Sequence, residues 1–313
     1  MDNDLHVIFG TGPLGKAVMR ALVARGRPVR LVNRSGQADV PARVEVAAGE
    51  AYDPASVRRL VQGAATVYQC AQPEYTEWEE KFPPLQAAII EGVAGSGARL
   101  VIGENLYMYG DTDGKPITED LPFRAAGKKG RTRAQMAEAA LEAHRSGRLP
   151  VAIGRASDFF GPEALGSVTG ERLFPAILAG KGGQGYGNVD LPHTYTYIED
   201  FGKAMAVLGE RPEALGQAWH VPNPETVSTR RFIELACQLA GQPPRVSSLG
   251  KTMLRIGGLF IPEAREMLEM AYEFEKPFVV DSTKFERTFG MKGTPLREAL
   301  TATLDWYRQH PVK

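Results

Sequence analysis

Gly10-Thr11-Gly12-Pro13-Leu14-Gly15 follows the β-branched run Val7-Ile8-Phe9 and opens a helical pattern from Lys16 to Arg25. A G-x-G-x-x-G spacing has a specific use at such a strand-to-helix junction. The first glycine permits the tight turn, the second lets backbone approach a pyrophosphate, and the third lets helix pack on strand. The helix start adds free N–H groups and the positive end of the helix dipole. Gly10, Thr11, Gly12, Pro13, Leu14 and Gly15 therefore predict a dinucleotide site.

The next apolar run, Val29 to Val32, ends at Asn33-Arg34-Ser35, where an NAD-selective site would place an acid for the ribose hydroxyls. Arg34 instead offers a fork of donors suited to a phosphate, and Asn33 and Ser35 can add neutral hydrogen bonds. NADP(H) is thus favoured, with NAD(H) the second choice. Further short strands are read at Val44-Glu45-Val46, Thr66-Val67-Tyr68, Leu100-Val101-Ile102 and Val151-Ala152-Ile153, with helical patterns between them. That alternation predicts an α/β fold, a doubly wound parallel sheet of Rossmann type covered by helices. Asp53-Pro54 supplies a cap and a first-turn proline for a helix over 55–61. Gly180 to Gly185 is too glycine-rich for a regular element, and the C-terminal third reads as helical over 231–239 and, capped by Thr294-Pro295, over 296–307. The predicted domains are 1–158 with 194–222 for the dinucleotide and 159–193 with 223–313 as a smaller substrate-binding lobe.

Charge and cysteine content narrow the partners. The 313 residues carry 37 lysines and arginines against 37 aspartates and glutamates, so no global field exists to hold nucleic acid or an anionic membrane. Cys70 and Cys237 stand far apart without a Cys/His cluster, which predicts neither a disulfide framework nor a metal site. No stretch is long enough to span a bilayer, and no basic and apolar leader opens the chain, so the cytoplasm is the expected compartment and a small molecule the expected partner.

In these residues the chain resembles the extended and atypical short-chain dehydrogenase/reductase superfamily, the NAD-dependent epimerase/dehydratase group, and the resemblance runs almost end to end. Gly49-Glu50-Ala51-Tyr52-Asp53 is similar to the third-strand signature, in which the resemblance makes Glu50 an adenine contact. Cys70-Ala71-Gln72-Pro73 matches the fourth strand end beneath the cofactor. Gly103-Glu104-Asn105-Leu106-Tyr107-Met108-Tyr109-Gly110 is similar to the fifth-strand segment Ser-Ser-x-x-Val-Tyr-Gly. Gly154-Arg155-Ala156-Ser157-Asp158-Phe159-Phe160-Gly161-Pro162 resembles the strand end beside the nicotinamide. His193 to Asp200 parallels Arg-Asp-Phe-x-x-Val-x-Asp, and Trp306-Tyr307 fits the last helix. The resemblance implies cofactor contacts from Ala71, Gln72, Pro73, Gly103, Ala156 and Ser157. It also implies a homodimer paired through helices near Leu85 to Ala94 and Ala134 to His144.

The departure from the family lies at its acid–base residues. Aligning Glu138 with the glutamate that follows the family's Tyr-x-x-x-Lys puts Gly130 at the tyrosine and Ala134 at the lysine, and counting back from Gly110 puts Asn105 at the serine. Neither Gly130 nor Ala134 can move a proton. Asn105 can polarise a carbonyl through its amide or simply bond neighbouring backbone. Tyr107 and Tyr109 are candidate proton donors, or packing residues. Asp158 and Glu104 form a candidate acid–base pair whose ordinary alternative is a structural hydrogen bond, and His193 could shuttle a proton. Arg133 reads as a solvated surface arginine, Lys128 and Lys129 as a wet basic loop, and Cys70 as a small buried hydrophobe.

The favoured function is an NADP(H)-dependent oxidoreductase acting on a small apolar or aromatic carbonyl or enone, because the resemblance implies that Trp78, Tyr107, Phe159, Phe160 and Tyr195 face the cleft, and an aromatic wall suits such a substrate. Two alternatives stand beside it. One is a non-catalytic NADP(H)-binding sensor, which the missing tyrosine and lysine would allow. The other is a nucleotide-sugar epimerase or dehydratase, which the resemblance names.

Overall fold

The computed structural model describes residues 4–250 and 268–311. The early part of the chain forms strands β1 (Leu5–Phe9), β2 (Val29–Asn33), β3 (Glu45–Ala48), β4 (Ala64–Gln69), β5 (Arg99–Glu104) and β6 (Val151–Arg155). With Ala218–His220 they make one seven-stranded sheet in the order Ala218–His220, β6, β5, β4, β1, β2, β3. Every pairing in it is parallel. Strands buried on both faces need continuous apolar runs, and Val7, Ile8, Leu31, Val67, Leu100, Val101 and Ile153 are all sealed from solvent. The order reverses direction between β1 and β4, the point at which doubly wound sheets open a crevice at their strand ends. The α/β Rossmann-type reading holds.

Helix α1 (Pro13–Ala24) follows β1, α2 (Pro54–Leu60) follows β3, α3 (Trp78–Val93) follows β4, and α4 (Lys128–Arg145) precedes β6. Asp53 caps α2 as its sequence suggests, accepting from the N–H groups of Ala55 and Ser56 at 3.0 and 3.1 Å.

The chain divides into two compact units, residues 1–108, 128–156 and 201–221, and residues 109–127, 157–200 and 222–313. Residues 109–127 therefore cluster with the second unit, although the sequence reading keeps them with the first. The second unit holds an aromatic and aliphatic core that includes Phe160, Phe174, Tyr195, Phe232, Leu300 and Tyr307. Two expectations for it need correction. Gly183–Tyr186, which overlaps the stretch Gly180 to Gly185 read as irregular, is a strand paired in parallel with Val246–Leu249, because the glycines leave room for Ile233, Leu173 and Thr229 against it. The helix Leu296–Gln309 is not capped by Thr294. Thr294 is bonded to Asp200 through both its N–H and its hydroxyl, and Glu225 accepts from the Leu296 N–H at 2.7 Å instead.

Candidate functional site

In the first unit the glycine turn has the shape its spacing predicts. Gly10 sits at φ +107°, and a Cβ there would lie 2.7 Å from the Ala71 nitrogen. A Cβ on Gly15 would meet the Gly10 carbonyl oxygen at 1.9 Å, so the turn closes only with glycine at both positions. Gly12 differs: nothing lies within 4 Å of the place its Cβ would take. Gly12 is also the N-cap of α1, and no side chain caps that helix. Its first-turn N–H groups, from Leu14 and Gly15, have no acceptor within the helix. Open space, free donors and the dipole coincide at Gly12, and the residues present fit a dinucleotide pyrophosphate.

Around this turn the expected contacts divide into free and occupied groups. Arg34 is exposed and makes no hydrogen bond or ion pair among the described residues. Asn33 and Ser35, read as further donors to a phosphate, are committed to their own turn. Asn33 donates to Gln37 O at 2.8 Å and Thr11 Oγ1 at 3.2 Å, and its Oδ1 accepts from the Gly36 N–H and the Ser35 hydroxyl. Glu50 is exposed and accepts from the Tyr52 N–H at 3.0 Å. Pro13 and Leu14 are half-buried in the first turn of α1, and Leu14 Cδ2 would lie 2.6 Å from a Cβ on Gly103. Ala71 and Pro73 are half-buried and Gln72 is exposed at the end of β4. Cys70 beside them is half-buried rather than fully buried as its sequence suggests, and burial pushes its thiol up. Ala156 is buried in the first unit and Ser157 in the second, where the Ser157 hydroxyl donates to Thr194 O.

The acid–base candidates fare unevenly. Asn105 Oδ1 accepts from the Tyr107 N–H at 3.3 Å, the backbone bond of its plainer reading. Tyr109 is 2% exposed with its ring edge-on to Phe123. Tyr107 is half-buried, with its ring 6.0 Å from Trp78 and its hydroxyl 3.5 Å from that of Tyr75. Of the residues expected to wall a cleft, Trp78, Phe160 and Tyr195 are buried, whereas Tyr107 and Phe159 are half-buried.

Two charged residues correct the sequence reading outright. Arg133 is 1% exposed, not solvated: it lies 3.5 Å from Glu104 and 4.7 Å over the Phe82 ring. Glu104 also accepts from Arg155 at 3.0 Å, so a sealed cluster of two guanidiniums and one carboxylate stands at the ends of β5 and β6. Burial pulls the Arg133 guanidinium down, with Arg155 adding to the fall and Glu104 opposing it. Lys129 is buried inside α4 instead of lying in a wet loop. Its Nζ donates to Tyr75 O at 2.7 Å and sits 4.2 Å over the Tyr75 ring, while Lys128 stays exposed against Glu79. Lys129 and Arg133 are four apart on one helix face. Both are buried, as is Gly130, while Ala134 is half-buried.

The second unit holds the other chemistry-bearing group. His193, 3% exposed, places Nε2 at 3.0 Å from Asp158 Oδ2 and Nδ1 at 3.2 Å from the Glu273 carbonyl oxygen. Its ring stacks on Phe274 and Phe278. Sequence reasoning singled out Asp158 and His193 separately but missed both their pairing and Glu273, whose only signal was an acid next to phenylalanine.

A parallel sheet with its glycine turn at the first crossover defines a dinucleotide-fold protein. More narrowly, residues 7–221 match the NAD dependent epimerase/dehydratase family, and the chain belongs to that family. The dTDP-glucose 4,6-dehydratase of Streptomyces griseus is 23% identical over 204 residues, covering 65% of this chain and 56% of that protein, so the match spans little more than half of the relative. The crystal structure of gox2253 matches with a TM-score of 0.82 at 20% identity, covering 98% of this chain and 99% of that one. UDP-glucuronic acid 4-epimerase from Bacillus cereus, in complex with NAD, matches at 0.76 and 16%, covering 97% of each chain. Such structural matches establish the shared fold. Among the described residues no helix is long and apolar enough to cross a membrane, and no group of three or more His, Cys, Asp or Glu could hold a metal.

Proposed function

We propose that this chain is a nicotinamide-dinucleotide-dependent enzyme that epimerises or dehydrates a nucleotide sugar, and that it prefers the phosphorylated dinucleotide. The open, uncapped turn at Gly12 carries the cofactor half of this reading. Gly10 to Gly15 would hold the pyrophosphate and Arg34 the 2′-phosphate. When bound, a nicotinamide supplies reversible hydride transfer. The family and its sugar-modifying relatives support the substrate half. The same relatives favour a nucleotide sugar over the apolar or aromatic carbonyl compound expected from the sequence.

Equilibrium titration with NADPH and NADH tests the first half. A charge-assisted hydrogen bond contributes roughly 1.5 to 3 kcal/mol, so NADPH should bind about tenfold or more tightly and Arg34→Ala should erase most of the difference. Equal dissociation constants in the unmodified protein would remove the NADP preference. Incubating the loaded protein with UDP- and dTDP-sugars and analysing the products tests the second half. Tight dinucleotide binding without any turned-over sugar would favour a cofactor sensor instead.

A further inference from the structure

Among the described residues, the large apolar side chain that stands exposed is Tyr52, at 41%. A single exposed aromatic is ordinary on a protein surface. The position of this one is specific. Tyr52 lies in the turn 49–53 that follows β3, and that turn is packed beside the Arg34 turn that follows β2. Asn33 pairs with Ala48 across the two strands, and the Gly49 N–H donates to Asn33 O at 2.9 Å. Gly36, at φ +67°, passes so close that a Cβ on it would lie 3.0 Å from both the nitrogen and the Cβ of Ala48. Both turns therefore open at the carboxyl ends of their strands, on the edge of the sheet where the Gly12 turn follows β1.

The backbone under Tyr52 is held from both sides. Its N–H donates to Glu50 Oε1 at 3.0 Å, the Glu50 N–H donates to Ser56 Oγ at 3.2 Å, and Asp53 caps α2. A flat ligand meeting the ring would not have to order the turn first. Partial burial raises the phenol pKa above its ordinary value, with Glu50 and Glu77 adding to the rise and Lys81 and Arg34 opposing it. The ring is thus a neutral phenol with charges of both signs around it. Lys81 is taken by Glu77 at 2.5 Å, whereas Arg34 and Glu50 are exposed.

We propose that Tyr52 is the platform on which the adenine base of the dinucleotide stacks. This rests on the cofactor half of the functional reading above. Adenine is flat and uncharged and carries an exocyclic amine that only donates. An exposed aromatic face answers the first property, and the neighbouring Glu50 carboxylate can accept from the amine. The adenosine is then divided between two residues of adjacent turns: Arg34 reads the 2′-phosphate, and Tyr52 holds the base that both dinucleotides share.

Equilibrium titration of the full chain with NADPH and with NADH, followed by nicotinamide fluorescence, separates the two roles without any turnover. Tyr52→Ala should weaken both dinucleotides by the same factor, about tenfold, which lies within the usual reach of a base stacked on an aromatic side chain. Arg34→Ala should weaken NADPH alone. Tyr52→Phe keeps the ring and should bind both dinucleotides as the unmodified protein does, and the unfolding temperature should hold in all three variants, as for other surface substitutions. Unchanged dissociation constants in Tyr52→Ala overturn the proposal and leave the ring to another occupant. A loss confined to NADPH overturns it as well, because Tyr52 would then belong to the 2′-phosphate site. Failure of the unmodified chain to bind either dinucleotide strikes the cofactor reading itself, and the platform with it.

Discussion

Glu104, Arg133 and Arg155 in the first unit are no more than 1% exposed at the side chain, whereas Asp158 in the second keeps 15% of its side chain at the surface in front of a buried His193. Both clusters bring ionic groups out of water. The first surrounds one carboxylate with two guanidiniums and offers no route for a proton, and guanidinium does not release one near neutral pH. The second combines groups that exchange protons and leaves an edge open. Sealing makes a charge cluster structural, and an open edge with a titratable partner leaves a proton a route to solvent.

The strongest way to break this comparison is to remove the carboxylate of the sealed cluster. Glu104→Gln removes the one carboxylate that both buried guanidiniums share. Removing one partner of a buried ionic group costs about 3–5 kcal/mol, and urea unfolding should show a loss of that size with an unchanged slope. A loss under 1 kcal/mol would mean that water or an anion reaches the cluster, and its structural role would fall.

The contrast also explains what the sequence could reveal. The glycine turn, the Asp53 cap and the strand-helix rhythm are local, since each is specified within a few neighbouring residues, and each appears where it was expected. The Glu104 cluster is assembled from β5, α4 and β6, so its residues lie 22 to 51 positions apart in the chain and no local pattern announces it. Arg133 reads as wet because an isolated arginine usually is. On α4 the buried face carries Lys129, Gly130, Arg133, Met136 and Ala137, while Glu138 is exposed. An i, i+4 cation pair followed by apolar residues was the available signal. His193 had none, because its partners Asp158 and Glu273 come from segments 35 and 80 residues away.

A pH series sharpens the comparison in the second unit. Burial, reinforced by the Asp158 charge, raises the folded pKa of Glu273 above its unfolded value of about 4.5. For an acid this means that the native state holds a proton the unfolded chain has released. Stability from this group is full below pH 4.5 and declines as pH rises toward the folded pKa, at up to about 1.4 kcal/mol per pH unit. Glu273→Gln keeps the neutral shape and removes the titration. Its stability relative to the unmodified protein should therefore increase from pH 5 to pH 7, as read by unfolding midpoints. A difference independent of pH would show Glu273 ionised in the native state, and the neutral neighbour of the Asp158–His193 pair would be lost.

The smallest expected effect belongs to an exposed carboxylate whose work is local. Asp53 is solvent-facing and bonds only the first turn of α2, at 3.0 and 3.1 Å to the Ala55 and Ser56 nitrogens. Asp53→Ala should cost about 1 kcal/mol, the usual value of an N-cap. Asp53→Asn should recover most of that, because asparagine caps comparably and gives up only the attraction of a full charge to the helix dipole, roughly 0.3–1 kcal/mol and screened by salt. Urea unfolding of both variants at low and high ionic strength separates the two contributions. The alanine loss should survive salt, since the hydrogen bonds are missing, while the asparagine loss should shrink. If Asp53→Ala cost as much as Glu104→Gln, an exposed carboxylate would matter as much as a sealed one, and burial would no longer separate the two kinds of charge.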